Sequence, residues 1–69
     1  MKYSIIIASP ADRDKLVAEI WNGDQMIAEI NQENNELEIE FYFDESKIPL
    51  NLNLEALSNA LTEGKQKLS

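Results

Sequence analysis

The chain of 69 residues contains no cysteine and no histidine. Without cysteine it can form no disulfide and no thiolate metal site, and it has no thiol nucleophile. Without histidine it lacks the side chain that titrates nearest neutral pH and most often acts as a general base. Its two glycines, Gly23 and Gly64, are too far apart to form a phosphate-binding loop. These absences argue against an enzyme, and we expect no catalytic residue, no metal and no cofactor.

Positive charge is also scarce, because 6 Lys and Arg residues stand against 13 Asp and Glu residues, for a formal net charge of -7. A nucleic-acid-binding protein needs a basic surface to neutralise phosphates, so we expect no nucleic-acid partner. No apolar run approaches the roughly 20 residues that cross a bilayer, so we expect no membrane insertion. We interpret residues 1–69 as a single soluble, cytoplasmic domain.

Four segments alternate apolar and polar residues, which is the pattern of a strand with one buried face. They cover residues 2–8, 15–21, 25–31 and 36–43. A fifth stretch at 48–52 also alternates, but Pro49 cannot donate a backbone hydrogen bond, so we predict a short edge strand there. The order predicts an antiparallel β-meander of four strands plus the short edge strand.

The pattern becomes helical from Leu54 onward, with Asn53 available as the N-cap. Gly64 falls on the apolar stripe, where a missing side chain lets a helix lie close to a sheet, so we predict that the helix continues through it. The whole pattern predicts an α+β fold with one C-terminal helix packed on one face of the sheet. The predicted stripe consists of Leu54, Leu57, Ala60, Leu61, Gly64 and Leu68.

The loop between the first two strands begins with a Ser-Pro pair at residues 9–10. Serine is a good N-cap, and proline suits the first position of a helix. We therefore predict one short helical turn, ending near Asp14. The charged residues 12–14 are interpreted as a solvated turn.

Directly paired residues on antiparallel strands point to the same face, so side-chain periodicity restricts the length of each loop. For the third and fourth strands, a tight turn at Asn34 and Asn35 pairs Ile30 with Ile39. A four-residue loop from Gln32 to Asn35 satisfies the same restriction and shifts the register by two residues. We adopt the tight turn.

The second and third strands pose a conflict at Asn22 and Gly23, a pair typical of two-residue turns. That turn would pair helix-facing residues of one strand with outer-face residues of the other, so we predict a three-residue loop with Gly23 as a bulge. Val17 then lies opposite both Ile6 and Ile27 on the outer face. The predicted helix-facing residues of the sheet are Tyr3, Ile5, Ile7, Leu16, Ala18, Ile20, Met26, Ala28, Ile30, Leu37, Ile39, Phe41 and Phe43.

This register leaves an apolar row on the face opposite the helix, flanked by carboxylates. One interpretation is that a small sheet has more apolar residues than one face can hide. The other is that an apolar patch with an acidic rim marks an interface with a second copy or a basic protein. The candidate interaction residues are Ile6, Val17, Glu19, Trp21, Ile27, Glu29, Glu40 and Tyr42.

The predicted register places Glu29 opposite Glu40, a pair that costs stability unless a cation or a basic side chain lies between them. A divalent-cation-binding acidic domain is therefore an alternative, although carboxylates on a flat strand diverge and no calcium-loop spacing is present. A small enzyme is a further alternative. We expect a non-enzymatic protein-interaction module, of which an acidic inhibitor or antitoxin-like protein is one concrete form.

Three stretches of the chain read Ala-Ser-Pro-Ala-Asp-Arg at 8–13, Leu-Val-Ala-Glu-Ile at 16–20 and Ala-Glu-Ile-Asn-Gln-Glu at 28–33. In these stretches the chain resembles a group of small, uncharacterised bacterial proteins of similar length, including cyanobacterial ones. The resemblance implies a bacterial source and a shared small fold of acidic strands with a leucine-rich closing helix. It implies no activity and supplies no functional residue.

Overall fold

A computed structural model describes residues 1–42 and 51–69. The strands form one antiparallel sheet in the order β1-β2-β3-β4, and the helix packs on one of its faces. The predicted α+β fold is therefore confirmed. The predicted edge strand is not, because residues 48–50 lie outside the described residues and Leu52 belongs to no strand. The elements are β1 (Ser4–Ala8), β2 (Val17–Asn22), β3 (Gln25–Asn31), β4 (Glu38–Phe41) and α1 (Leu54–Leu68).

The helix begins and continues as predicted. The Asn53 side chain accepts a hydrogen bond from the Ala56 backbone N–H at 2.8 Å, which caps the first turn. A Cβ atom on Gly64 would lie 2.8 Å from Ile30 Cδ1 and 3.3 Å from Ala18 Cβ. The helix therefore lies as close to the sheet as the missing side chain allows.

The residues of α1 that pack most tightly on the sheet are smaller than predicted. Ala56, Ala60 and Gly64 are buried and lie four residues apart, on one line along the helix. Leu54 is 81% exposed, so its predicted place in the core is wrong. This small-residue line lies over β1, β2 and part of β3, and α1 does not reach β4. The leucines that pack partly against the core are Leu57, Leu61 and Leu68.

Because α1 covers only part of the sheet, several residues predicted to face the core are largely uncovered. Phe43, also predicted for the core, lies outside the described residues. The uncovered residues, 37% to 49% exposed, are Ile7, Leu16, Leu37, Ile39 and Phe41. The buried core consists of Tyr3, Ala18, Ile20, Ile27, Ala28, Ile30, Ala56 and Ala60.

The register between β3 and β4 is the predicted one, with Ile30 paired to Ile39. Asn35 has a φ of 64°, a conformation that asparagine tolerates better than most residues. Its backbone N–H donates to the Gln32 carbonyl at 3.4 Å, so the hydrogen-bonded turn spans residues 32–35. The predicted two-residue turn at Asn34 and Asn35 is not formed, because the strands pair only from Asn31 and Glu38 onward. The structure thus excludes the register shifted by two residues.

The hairpin of β2 and β3 differs from the prediction. Asn22 pairs with Gln25, so the turn has only two residues, and Gly23 begins it with a φ of 63°. The faces predicted for Ala18, Ile20, Ala28 and Ile30 are nevertheless kept, because the register shifts next to Trp21 and leaves Ile27 as one extra residue in β3. The helix-facing position predicted for Met26 is wrong, since Met26 pairs with Trp21 of the outer face. A bulge redirects side chains. Ile27 accordingly belongs to the buried core and not to an open outer face.

The hairpin of β1 and β2 keeps the predicted faces with a different register. Ile6 pairs with Glu19, and Val17 pairs with Ala8, so each partner is two residues from the predicted one. A shift of two residues preserves the alternation of side chains, and periodicity alone does not detect it.

The loop of residues 9–16 contains no helical turn, so that prediction is wrong. Its hydrogen-bonded feature is a single turn in which the Arg13 backbone N–H donates to the Pro10 carbonyl at 3.2 Å. At the end of this turn, the Arg13 side chain lies on the face opposite the helix, where it contacts Glu29 and Glu40.

Candidate functional site

The face opposite the helix carries a row of side chains, one from each strand. Ile6 pairs with Glu19, Glu19 with Glu29, and Glu29 with Glu40. Neighbouring side chains in such a row are about 5 Å apart, so three carboxylates lie side by side. The predicted pairing of Glu29 with Glu40 is confirmed, and its repulsion requires a positive charge nearby.

Arg13 supplies that charge. Its Nε donates to Glu29 Oε1 at 3.0 Å, and its Nη2 donates to Glu40 Oε2 at 2.9 Å. One planar guanidinium thus bridges both carboxylates, a geometry that a lysine ammonium cannot reproduce. The hydrogen bond to Glu40 raises the pKa of Arg13 further above its ordinary value. Of the two ways in which the pair could be relieved, a bound cation or a basic side chain, the structure has the basic side chain, and the turn that carries it is not simply solvated.

Glu29 is the most enclosed carboxylate of the row, with 6% of the residue exposed. Its second oxygen, Oε2, accepts from the Tyr42 hydroxyl at 3.2 Å, so both oxygens are hydrogen-bonded. This matters because a buried carboxylate without partners is costly. Burial raises the pKa of Tyr42, and the charges of Glu29 and Glu40 raise it further. Arg13, Glu29, Glu40 and Tyr42 are referred to below as the arginine cluster.

Further hydrogen bonds hold the loop of residues 9–16 against the end of β3. The loop runs from the end of β1 to the start of β2. Val17, the first residue of β2, is fully buried. The outer face is therefore covered at this end. The bonds join the Asp14 N–H to Glu33, Lys15 Nζ to Asn35, and Gln32 Nε2 to the Leu16 carbonyl, at 2.8, 3.0 and 3.1 Å.

The predicted open apolar patch on this face is wrong. Val17 and Ile27 are 0% and 1% exposed, the former on the outer face and the latter in the core. Ile6 is 48% exposed at the edge of the sheet, and Tyr42 is half-buried with its hydroxyl bonded to Glu29. Of the candidate residues, Glu29, Glu40 and Tyr42 belong to the arginine cluster, and Glu19 lies beside it in the row.

Glu19, the third carboxylate, accepts a hydrogen bond from the Trp21 indole N–H at 3.1 Å. Both residues are half-buried. Within residues 1–42 and 51–69, no three Asp or Glu residues are grouped so that they could hold a metal ion. Since Arg13 already neutralises Glu29 and Glu40, the row offers no support for the cation-binding alternative.

A concave surface with exposed apolar side chains lies instead on the helix side, beside β4. Leu37 and Ile39 are 44% and 40% exposed. Two adjoining recesses of about 520 Å³ and 180 Å³, which share Leu37 and Lys65, separate β4 from the C-terminal half of α1. Together they are referred to below as the helix–β4 cleft. Its apolar walls are Ile30, Leu37, Ile39, Leu61 and Leu68, and its polar rim includes Gln32, Glu38, Thr62, Lys65 and Gln66.

Sequence reasoning missed both features, although each left a signal. The predicted pair of Glu29 and Glu40 required a cation, and the chain has only 6 basic side chains to provide one. The small residues Ala56, Ala60 and Gly64 recur every four positions, which indicates that the helix rests on a narrow line. A helix seated in that way leaves the distant edge of a four-stranded sheet uncovered.

Comparisons of the chain with protein-family models, with curated proteins and with solved structures found no match. The resemblance to small bacterial proteins therefore stays a prediction. No helix in the described ranges is both long and apolar enough to span a bilayer.

Proposed function

We propose that this protein is a non-enzymatic protein-interaction module that binds a partner through the helix–β4 cleft. The observation that carries the proposal is the exposure of Leu37 and Ile39 along one wall of a concave surface. Small proteins rarely leave large apolar side chains exposed together unless another molecule covers them. The cleft combines apolar walls with a polar rim, which suits a short segment of another protein.

The partner is a positively charged protein that inserts an apolar segment into the cleft. The net charge of -7 attracts such a protein over a distance and raises its association rate. Glu38 lines the cleft and Glu36 precedes Leu37 in the sequence, whereas Glu40 is already paired with Arg13. A segment with alternating apolar and basic residues would place the former in the cleft and the latter beside these carboxylates. An inhibitor of a basic protein is one form of such a module.

The proposal is tested with a peptide selected from a phage-displayed library on the full chain. We expect the selected sequences to combine apolar residues with Lys or Arg. Titrated into ¹⁵N-labelled protein, the peptide should shift the amides of Leu37, Ile39, Leu61 and Lys65 most. Added salt should weaken its binding, because screening reduces the attraction between opposite charges.

A matched pair of variants locates the binding surface. Leu37→Ser should weaken peptide binding about tenfold or more, equivalent to about 1.4 kcal/mol, by removing an apolar wall of the cleft. Leu54→Ser makes the same change at a leucine that is 81% exposed and outside the cleft, and it should leave binding unchanged. Equal losses in both variants, or selection of no peptide at all, would contradict the proposal.

A further inference from the structure

The edge strand β1 lacks the features that usually protect an edge. Among the described residues it pairs with β2 alone, through five consecutive pairs without a bulge. Its sequence, Ser-Ile-Ile-Ile-Ala, contains no charge and no proline, which are common means of keeping an edge strand from pairing with another chain. Ile6 and Ile7 are 48% and 37% exposed.

The strand at the other end of the sheet, β4, differs in this respect. Glutamates alternate with apolar residues along it. An antiparallel pairing of β4 with a second copy that preserves the two faces would set Glu38 against Glu40 of that copy. Like charges directly opposite one another destabilise a sheet. The contrast identifies β1 as the edge suited to a second copy of the same chain.

We infer that two copies of this protein associate through β1, antiparallel about a two-fold axis beside Ile6. In this register Ile6 meets Ile6 of the second copy, Ile5 meets Ile7, and Ser4 meets Ala8. All five residues of the strand are paired, and isoleucine meets isoleucine on both faces of the sheet. A two-fold interface of this kind requires a self-complementary surface, which β1 provides.

The same register is compatible with the rest of the fold. Ile5 and Ile7 pair within the chain with Ile20 and Ala18, and these residues lie beneath α1. Pairing residues 5 and 7 across the two-fold axis therefore keeps both helices on one face. Two four-stranded sheets join into one of eight strands without reversal of any side chain.

The charge distribution favours association at this edge. Residues 1–11 contain one charged side chain, that of Lys2, and no carboxylate, whereas the whole chain has a net charge of -7. Two acidic molecules thus approach with the least repulsion along β1. The two Lys2 side chains lie at opposite ends of the paired strands, each across from Pro10 of the other copy. The helix–β4 cleft is at the other edge, so this association is independent of the proposed function.

Sedimentation equilibrium of the full chain from about 10 µM to 1 mM should show a reversible monomer–dimer equilibrium. Ile6→Lys should weaken it about tenfold or more, because it places a charge on each side of the two-fold axis. The matched control, Asn34→Lys, adds the same charge in the exposed turn between β3 and β4, at the other edge of the sheet, and should leave the equilibrium unchanged. A monomer throughout, or equal loss in both variants, would overturn the inference.

Cysteine substitution tests the register directly, because the natural chain has no cysteine. Cα atoms directly opposite one another are about 4.5 to 5.5 Å apart, which is within the range of a disulfide. Ile6→Cys should therefore form a disulfide-linked dimer rapidly under mild oxidation. Ser4→Cys should not, because residue 4 lies across from residue 8. Equal cross-linking of the two variants, or none with Ile6→Cys, would overturn the inference even if Ile6→Lys failed to fold.

Discussion

The two faces of the sheet are closed by different interactions. On the helix side, Ala18, Ile20 and Ala28 are fully buried beneath a helix that approaches through small residues. On the other side, a loop and the arginine cluster cover part of the sheet with hydrogen bonds and ion pairs. The apolar face is therefore packed tightly over β2 and β3, whereas Ile7 in β1 and Ile39 in β4 stay 37% and 40% exposed. On the polar face, Glu29 and Glu40 are paired with Arg13. The comparison shows that the position of α1, and not the polarity of a face, decides what stays exposed.

The largest expected effect tests the uneven packing of the helix side. Ile20→Ala should lower the free energy of unfolding by about 2 to 5 kcal/mol, because Ile20 is fully buried. Phe41→Ala removes a larger side chain that is 37% exposed, and it should cost only about 1 to 2 kcal/mol. Urea unfolding followed by circular dichroism measures both. An equal or larger loss for Phe41→Ala would mean that β4 is packed as tightly as β2.

An intermediate effect tests how the polar face is closed. Arg13→Gln removes the cation between Glu29 and Glu40, so it should lower the melting temperature, although less than Ile20→Ala does. Glu40→Gln added to Arg13→Gln should restore part of the loss, because it removes the repulsion that Arg13 had screened.

The control for this pair is Lys15→Gln, which makes the same change of charge at an exposed position of the same loop. We expect it to alter the melting temperature little, as is usual for surface charges. If the double variant melted no higher than Arg13→Gln alone, repulsion between the two carboxylates would not be the cause of the loss.

The smallest expected effect is a dependence on high pH. The pKa of Tyr42 is raised above its ordinary value of 10.0, so the folded state holds the phenolic proton more tightly than the unfolded state. This contribution is complete below about pH 10 and is lost as the pH rises through the folded pKa. Urea midpoints between about pH 8 and pH 11 should therefore fall less steeply in Tyr42→Phe than in the parent. Parallel slopes would show that Tyr42 does not contribute.

Much of the architecture follows from local patterns. The alternation in residues 25–31 predicts β3 at the bounds that the structure has. The register of β3 and β4 and the positive φ of Asn35 were also predicted, although the turn spans residues 32–35. The N-cap at Asn53 and the continuation of the helix through Gly64 are likewise local or nearly so. The faces of the strands were predicted correctly except around the bulge, where Met26 pairs with Trp21 of the outer face and Ile27 belongs to the buried core.

Much less of the candidate site could be predicted from local sequence patterns. The row of charged residues could be derived from the register of β3 and β4, but its neutralisation by Arg13 could not, because 16 residues separate Arg13 from Glu29. The exposure of Leu37 and Ile39 depends on where the helix comes to rest. Apolar periodicity shows which side chains point toward a helix, but not whether the helix reaches them.

The sequence by itself determined the strands, the helix, and the face to which nearly every strand residue belongs. These features depend on backbone geometry and on the two-residue and 3.6-residue periods, which are properties of short segments. Only the tertiary structure decided the registers of the first two hairpins, the packing of α1 on the sheet through its small residues, and the placement of Arg13. The reason is that periodicity specifies direction without distance, whereas contacts between remote segments depend on how closely whole elements can approach.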